Sequence, residues 1–111
     1  MAAPPDVKQE TRWLRLRAGM RVNSRVPMAV EWSEGGRTLR AEGRTVDVSA
    51  GGCLAIVPQG FPVGQKLRVH NLVNKKSADA ALIWKGHEGR SGWELGIELL
   101  NAPHDFWELD F

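Results

Sequence analysis

Between Val26 and Leu100 turn chemistry cuts the chain into six short runs of strand character, and this punctuation narrows the fold more than any other feature. Val26-Pro27-Met28-Ala29-Val30-Glu31-Trp32 alternates, and Glu34-Gly35-Gly36 behind it is a hairpin signal. Residues 38–48 continue with Leu39, Ala41, Thr45 and Val46, and Gly43 among them suggests a bulge. Cys53-Leu54-Ala55-Ile56-Val57 reads as a buried strand. Phe61-Pro62-Val63-Gly64 is a tight turn ahead of residues 66–73, where Leu67, Val69 and Asn71 alternate with Arg68, His70 and Leu72. Residues 78–85 and 93–100 are the last two runs, with Ser91-Gly92 marking the link between them. Six short strands so spaced predict a mainly β chain, as a small antiparallel barrel or sandwich. Pro103-His104-Asp105-Phe106-Trp107-Glu108-Leu109 has proline near its start, which predicts a short C-terminal helix within residues 103–111.

The chain is 111 residues long, one domain at most, and its 42% hydrophobic content suffices for one modest core. A single cysteine, Cys53, excludes an internal disulfide. No apolar run approaches the roughly 20 residues that span a bilayer. The first residues lack the basic and apolar regions of a signal peptide, so the expected location is cytoplasmic. Residues 1–10 look like a flexible lead, and residues 11–20 set Trp13, Leu14 and Leu16 among arginines, as a helical turn or an extended arm. The expected organisation is a flexible basic N-terminal arm over 1–19, a barrel over 20–102, and the helix over 103–111 packing on it. Net charge is only +2, but Arg12, Arg15, Arg17, Arg21 and Arg25 occur in a stretch without acidic residues. From Glu94 to Phe111 there are acidic residues and no Lys or Arg. Such ends are either solvated faces or, for the basic one, an anion site.

Two short pieces carry chemistry. Arg21-Val22-Asn23-Ser24-Arg25 sets two guanidinium groups four residues apart. Each is a planar fork of donors that can grip phosphate oxygens bidentately or stack on a purine. Arg17 and Arg21 form a second such pair, and a solvated basic stretch is the plainer reading of either. Asp47-Val48-Ser49-Ala50-Gly51-Gly52 combines a carboxylate acceptor, a hydroxyl and glycines that let a ligand approach the backbone. Its plainer reading is an Asx turn between strands. Together the two suggest a site for a small anionic ligand with a hydrogen-bonding base, and not a catalytic centre. His70, His87 and His104 have no metal-ligand spacing, and Ser49 is not in a nucleophile elbow. Trp32, Trp84 and Trp93 read as core or barrel-wall residues, and Cys53 as a small buried one. Phe106, Trp107 and Leu109 either cover one barrel end or form an exposed docking face.

In this order and context the motifs resemble the PilZ domain family. Its pattern is Arg-x-x-x-Arg just before the first strand, then Asp/Asn-x-Ser-x-x-Gly after the second. Arg21 and Arg25 precede Val26-Pro27-Met28-Ala29-Val30, and Asp47, Ser49 and Gly52 fill the second motif. Pro62-Val63-Gly64-Gln65-Lys66-Leu67 and Leu95-Gly96-Ile97-Glu98-Leu99-Leu100 are also similar to the family, so the resemblance covers residues 20–102. It implies a bacterial, non-enzymatic second-messenger receptor, folded as a six-stranded antiparallel barrel of split-barrel type. The implied ligand is cyclic di-GMP, with no other cofactor. Arg21 and Arg25 would bind its phosphates and stack on or hydrogen-bond its guanines. Asp47 and Ser49 would contact a guanine edge, and Gly52 would shape the turn. Met20 stands where many relatives carry a further basic residue. Signalling would pass, through ordering of the arm, to an unidentified protein partner. The alternatives are a nucleic-acid-binding barrel using the arginine arm, and a protein-interaction module of the same fold that binds no nucleotide.

Overall fold

The chain closes on itself as a β-barrel, seen in a computed structural model that describes residues 21–108. The strands are β1 (Arg21–Asn23), β2 (Pro27–Glu34), β3 (Arg37–Ser49), β4 (Gly52–Val57), β5 (Lys66–Asn71), β6 (Ser77–Gly89) and β7 (Gly92–Leu100). Their order is β1-β3-β2-β5-β6-β7-β4, and a further β3–β4 pairing joins the ends. Every pairing is antiparallel. Strands β2 to β7 form the expected six-stranded barrel, and β1 extends it along β3. Residues 1–19, the expected basic arm, lie outside the described residues. No helix among the described residues is long and apolar enough to cross a membrane.

Period-two alternation sets the inside. Met28 and Val30 of β2, Leu67 and Val69 of β5, Leu82 of β6 and Leu95 and Ile97 of β7 are buried in one core. Gly35 and Gly36, with φ of 58° and 75°, make the two-residue turn from Glu34 to Arg37. Two positive φ angles in succession are what such a hairpin turn requires, and glycine adopts them at least cost.

The structure corrects two expectations. Gly43 is not at a bulge. A Cβ there would stand 2.2 Å from the Ile56 carbonyl oxygen, so glycine lets β3 and β4 approach closely. The β3–β4 bulge falls at Val46, where the register slips between Thr45 and Asp47. The second correction is the C-terminal helix, which is absent from the described residues. Instead, the Phe106 N–H donates to the Pro103 carbonyl at 3.0 Å and the Glu108 N–H to the Asp105 carbonyl at 2.8 Å. These are two successive turns. Nucleating a helix fixes several residues for one bond, and the Phe106 carbonyl is already taken by the Asn71 and Asn74 side-chain amides, at 3.0 and 3.1 Å. Glu108 then enters the left-handed region at φ 57°. Residues 109–111 of the expected helix, Leu109 among them, lie outside the described residues. Phe106 and Trp107 do close the barrel, as buried members of its core.

The tryptophans divide between two faces. Trp32 and Trp93 are partly buried against the barrel core, whereas Trp84 lies on the outer wall with Leu54, Ile83, Val46 and Ala81. A bulge at Ile83, between the pairs Leu82↔Ile97 and Trp84↔Gly96, puts two successive apolar residues on that wall.

Candidate functional site

Strand β1 joins the two sequence motifs. Its register with β3 sets Arg21 opposite Ser49, Val22 opposite Val48 and Asn23 opposite Asp47. Directly opposed residues of an antiparallel pair share a face, with Cβ atoms about 5 Å apart. Val48 belongs to the barrel core, so Arg21, Asn23, Asp47 and Ser49 share the outer wall. Gly52 continues that row on β4, opposite Ser49, and brings no side chain to it. Ala50 and Gly51 form the connecting turn, so the motif is the end of a hairpin.

Arg25 sits on a bulge between β1 and β2. The Ser24 N–H donates to the Val46 carbonyl at 3.2 Å, and the Thr45 N–H donates to the Val26 carbonyl at 3.0 Å. Between Asn23↔Asp47 and these bonds, Ser24 and Arg25 together oppose Val46 alone. Such an insertion re-aims the side chains it carries. Here it leaves Arg25 exposed, on a cleft of about 340 Å³ lined with Asn23, Ser24 and Val46.

Thr45, which sequence reasoning took as an ordinary strand residue, secures this bulge. It is fully buried. Its Oγ1 accepts from the Val26 N–H at 2.7 Å, and its hydroxyl donates to the Ser24 carbonyl. One side chain thus satisfies both backbone groups flanking Arg25. Thr45→Val keeps the shape and removes both bonds, and is expected to cost about 1–3 kcal/mol. Urea unfolding measures this. A change within about 0.5 kcal/mol, the range of an ordinary surface substitution, would show that the hydroxyl does not hold the loop.

Asn23 is the other residue that sequence reading passed over. Two positions beyond Arg21 on a strand, it returns to the same face, a period visible only once the segment is known to be extended. The charges of the site are unspent. Neither the Arg21 nor the Arg25 guanidinium makes an ion pair or hydrogen bond with another described residue, and both residues are exposed. Asp47 and Ser49 are only 8% and 6% exposed. The Ser49 hydroxyl points at the Gly52 carbonyl from 3.5 Å, too far for a strong bond. Burial, and then the nearby Asp47 carboxylate, push the Cys53 thiol far above its usual range, which leaves it an inert core residue. The chemistry on offer is two guanidinium forks, a desolvated carboxylate, a hydroxyl and an amide. That set suits an anion that also carries N–H donors.

No curated protein and no solved structure matches this chain. The PilZ domain family matches it over residues 12–107. The match opens before β1, takes in all seven strands and ends in the closing turn at Trp107, so it is wider than the 20–102 suggested by the motifs. With both motifs on one wall of a closed barrel and a match over most of its length, the chain belongs to the PilZ domain family.

Proposed function

We propose that this chain is a receptor for cyclic di-GMP, the ligand its family binds, with Arg21, Arg25, Asp47, Ser49 and Gly52 forming the site. The observation that supports this reading is the pairing of β1 with β3, which sets an uncommitted guanidinium beside the motif serine. The ligand carries two phosphates and two guanines. Arg21 and Arg25 hold the phosphate oxygens through charge-assisted bonds and lay their flat faces on the bases. Asp47 accepts from a guanine N–H edge. Its burial gives that bond a low-dielectric setting, where competition from water is reduced. The Ser49 hydroxyl adds a donor or an acceptor, and Gly52 keeps side-chain bulk out of the row. The role proposed for this arrangement is to bind the ligand, not to process it. The signal is the ordering of the basic arm ahead of β1, which carries Arg12, Arg15 and Arg17, and a partner protein reads it.

Calorimetric titration of the full chain with cyclic di-GMP, with GTP as control, tests the binding. Saturable heat for the cyclic dinucleotide alone is expected, and a folded chain that gives none would overturn the proposal. Trypsin cleavage at Arg12, Arg15 and Arg17, in the arm ahead of β1, is expected to slow when the ligand is present. An unchanged cleavage rate at saturation would overturn the signalling step and leave the binding step standing.

A further inference from the structure

Among the described residues, the barrel wall opens between β2 and β5. Strands β2 and β5 pair from Met28↔Asn71 to Glu31↔Arg68 and no further. The same register would next bring Trp32 to Leu67 and Ser33 to Lys66, but there the strands part around a cleft of about 730 Å³. Glu31, Trp32, Ser33, Gly64, Lys66 and Arg68 are among its lining residues.

Backbone parity shows what this cleft presents. Along an antiparallel strand, successive residues turn their N–H and C=O to opposite sides. The Leu72 N–H donates to the Pro27 carbonyl at 3.0 Å, so Pro27, Ala29, Glu31 and then Ser33 face β5. The Thr45 N–H bond to the Val26 carbonyl gives the same parity, since it makes the even-numbered residues of β2 face β3. On β5, the Leu82 N–H donates to the Gln65 carbonyl at 3.0 Å, so Gln65 faces β6 and Lys66 faces β2. Ser33 and Lys66 therefore direct their backbone polar groups into the cleft from opposite sides, and among the described residues neither has a strand partner there. An unpaired edge of this kind is a template for another strand.

The side chains give the chemistry of that strand. Trp32 is partly buried against the core and meets Phe61 edge-on, with centroids 4.8 Å apart. Leu67 is buried beside the same core. Arg68 is paired with Asp79 at 2.8 Å, and Glu31 contacts His70. Lys66 is exposed and makes no ion pair with a described residue, so its ammonium stands at the mouth with no compensating charge among the described residues. A residue paired with Ser33 would lie on the outer face with Lys66, and its two neighbours would point inward at Trp32 and Leu67.

We infer that this cleft docks an extended segment of a partner protein, added as a β-strand on the Ser33 edge of β2. The segment carries an acidic residue facing Lys66, with an apolar residue on each side of it. Main-chain bonds supply attachment and the alternating side chains supply selectivity. The site shares no residue with the proposed nucleotide site, and its test does not depend on nucleotide binding.

The probe is the blocked peptide Thr-Val-Glu-Val-Thr, titrated into the full isotope-labelled chain and followed by amide NMR, with Thr-Val-Lys-Val-Thr as comparison. Saturable shifts at the Ser33 and Lys66 amides are expected for the glutamate peptide, with affinity about ten-fold or more above the lysine peptide. Ser33→Pro removes the N–H on the open side alone and is expected to abolish binding. Should that variant fail to fold, Lys66→Glu at the exposed mouth decides, and is expected to reverse the preference between the peptides. The inference is overturned by absence of saturable shifts, by equal binding of both peptides to wild type and Lys66→Glu, or by retention of binding in folded Ser33→Pro. Self-association of the chain through these same amides would make a second copy the occupant, and would equally overturn it.

Discussion

Replacing Arg21 and Arg25 together by alanine is expected to lower cyclic di-GMP affinity by about 100-fold or more, with the fold left intact. In the proposed complex each guanidinium makes hydrogen bonds between charged groups, worth about 1.5–3 kcal/mol apiece. Even one such bond lost per arginine gives about 3–6 kcal/mol, and each 1.4 kcal/mol is about a factor of ten. The fold should not notice. Both side chains are exposed and neither bonds to another described residue, while β1 is held by its backbone pairing with β3. Unfolding midpoints within the narrow range of surface substitutions are expected for the double variant. Calorimetry beside thermal unfolding reads both quantities. Affinity within a few-fold of wild type would move the phosphate contacts away from these arginines and remove the main support for the proposed site. The single variants add detail. Arg25 sits on a bulge pinned by Thr45, and Arg21 on a regular strand, so Arg25 depends on local geometry that Arg21 does not need.

Those two arginines also mark where sequence reading stopped. Their identity was legible, because Arg-x-x-x-Arg ahead of a strand and Asp-x-Ser-x-x-Gly after the next form a joint pattern. Their meeting was not. Three residues, Arg21-Val22-Asn23, are too few and too polar to show alternation, and β1 exists because β3 runs past the end of β2 and offers an edge. The strands of the barrel were legible where one face is buried, as in β5, where Leu67, Val69 and Asn71 are buried between less buried neighbours. Bulges break that signal. Val46 and Ile83 each insert one residue, and the period-two rule changes face there without a residue type to announce it. Thr45 was hidden for another reason. A threonine in a strand is ordinary by composition, and its role depends on two backbone groups about twenty positions away, at Ser24 and Val26.

Phe106→Ala is expected to cost about 3–5 kcal/mol, the range for deleting a buried aromatic. The sequence placed this residue in a helix, and the structure gives a physical reason why it matters more in a turn. Phe106 is fully buried at the barrel end and packs edge-on against Trp107, with centroids 4.7 Å apart and an interplanar angle of 86°. Its carbonyl accepts from two side-chain amides, and Asn71, one of the donors, is itself only 2% exposed. Asn71 also accepts from the Val73 N–H at 2.9 Å, so the same side chain ties the closing turn to the end of β5. By contrast, the Lys76–Asp105 pair at 2.7 Å lies in solvent, and exposed pairs of this kind contribute little. Burial of the ring therefore decides the stability of this end, and Lys76→Ala should leave it almost unchanged. Set against a total of about 5–15 kcal/mol for a domain, loss of the ring would leave a marginal fold. Urea unfolding of the full chain measures the difference. A loss below about 1 kcal/mol would mean that the cavity collapses or that the turn is a dispensable cover. The expected loss would make the closing turn part of the barrel core, in keeping with a family match that runs to Trp107.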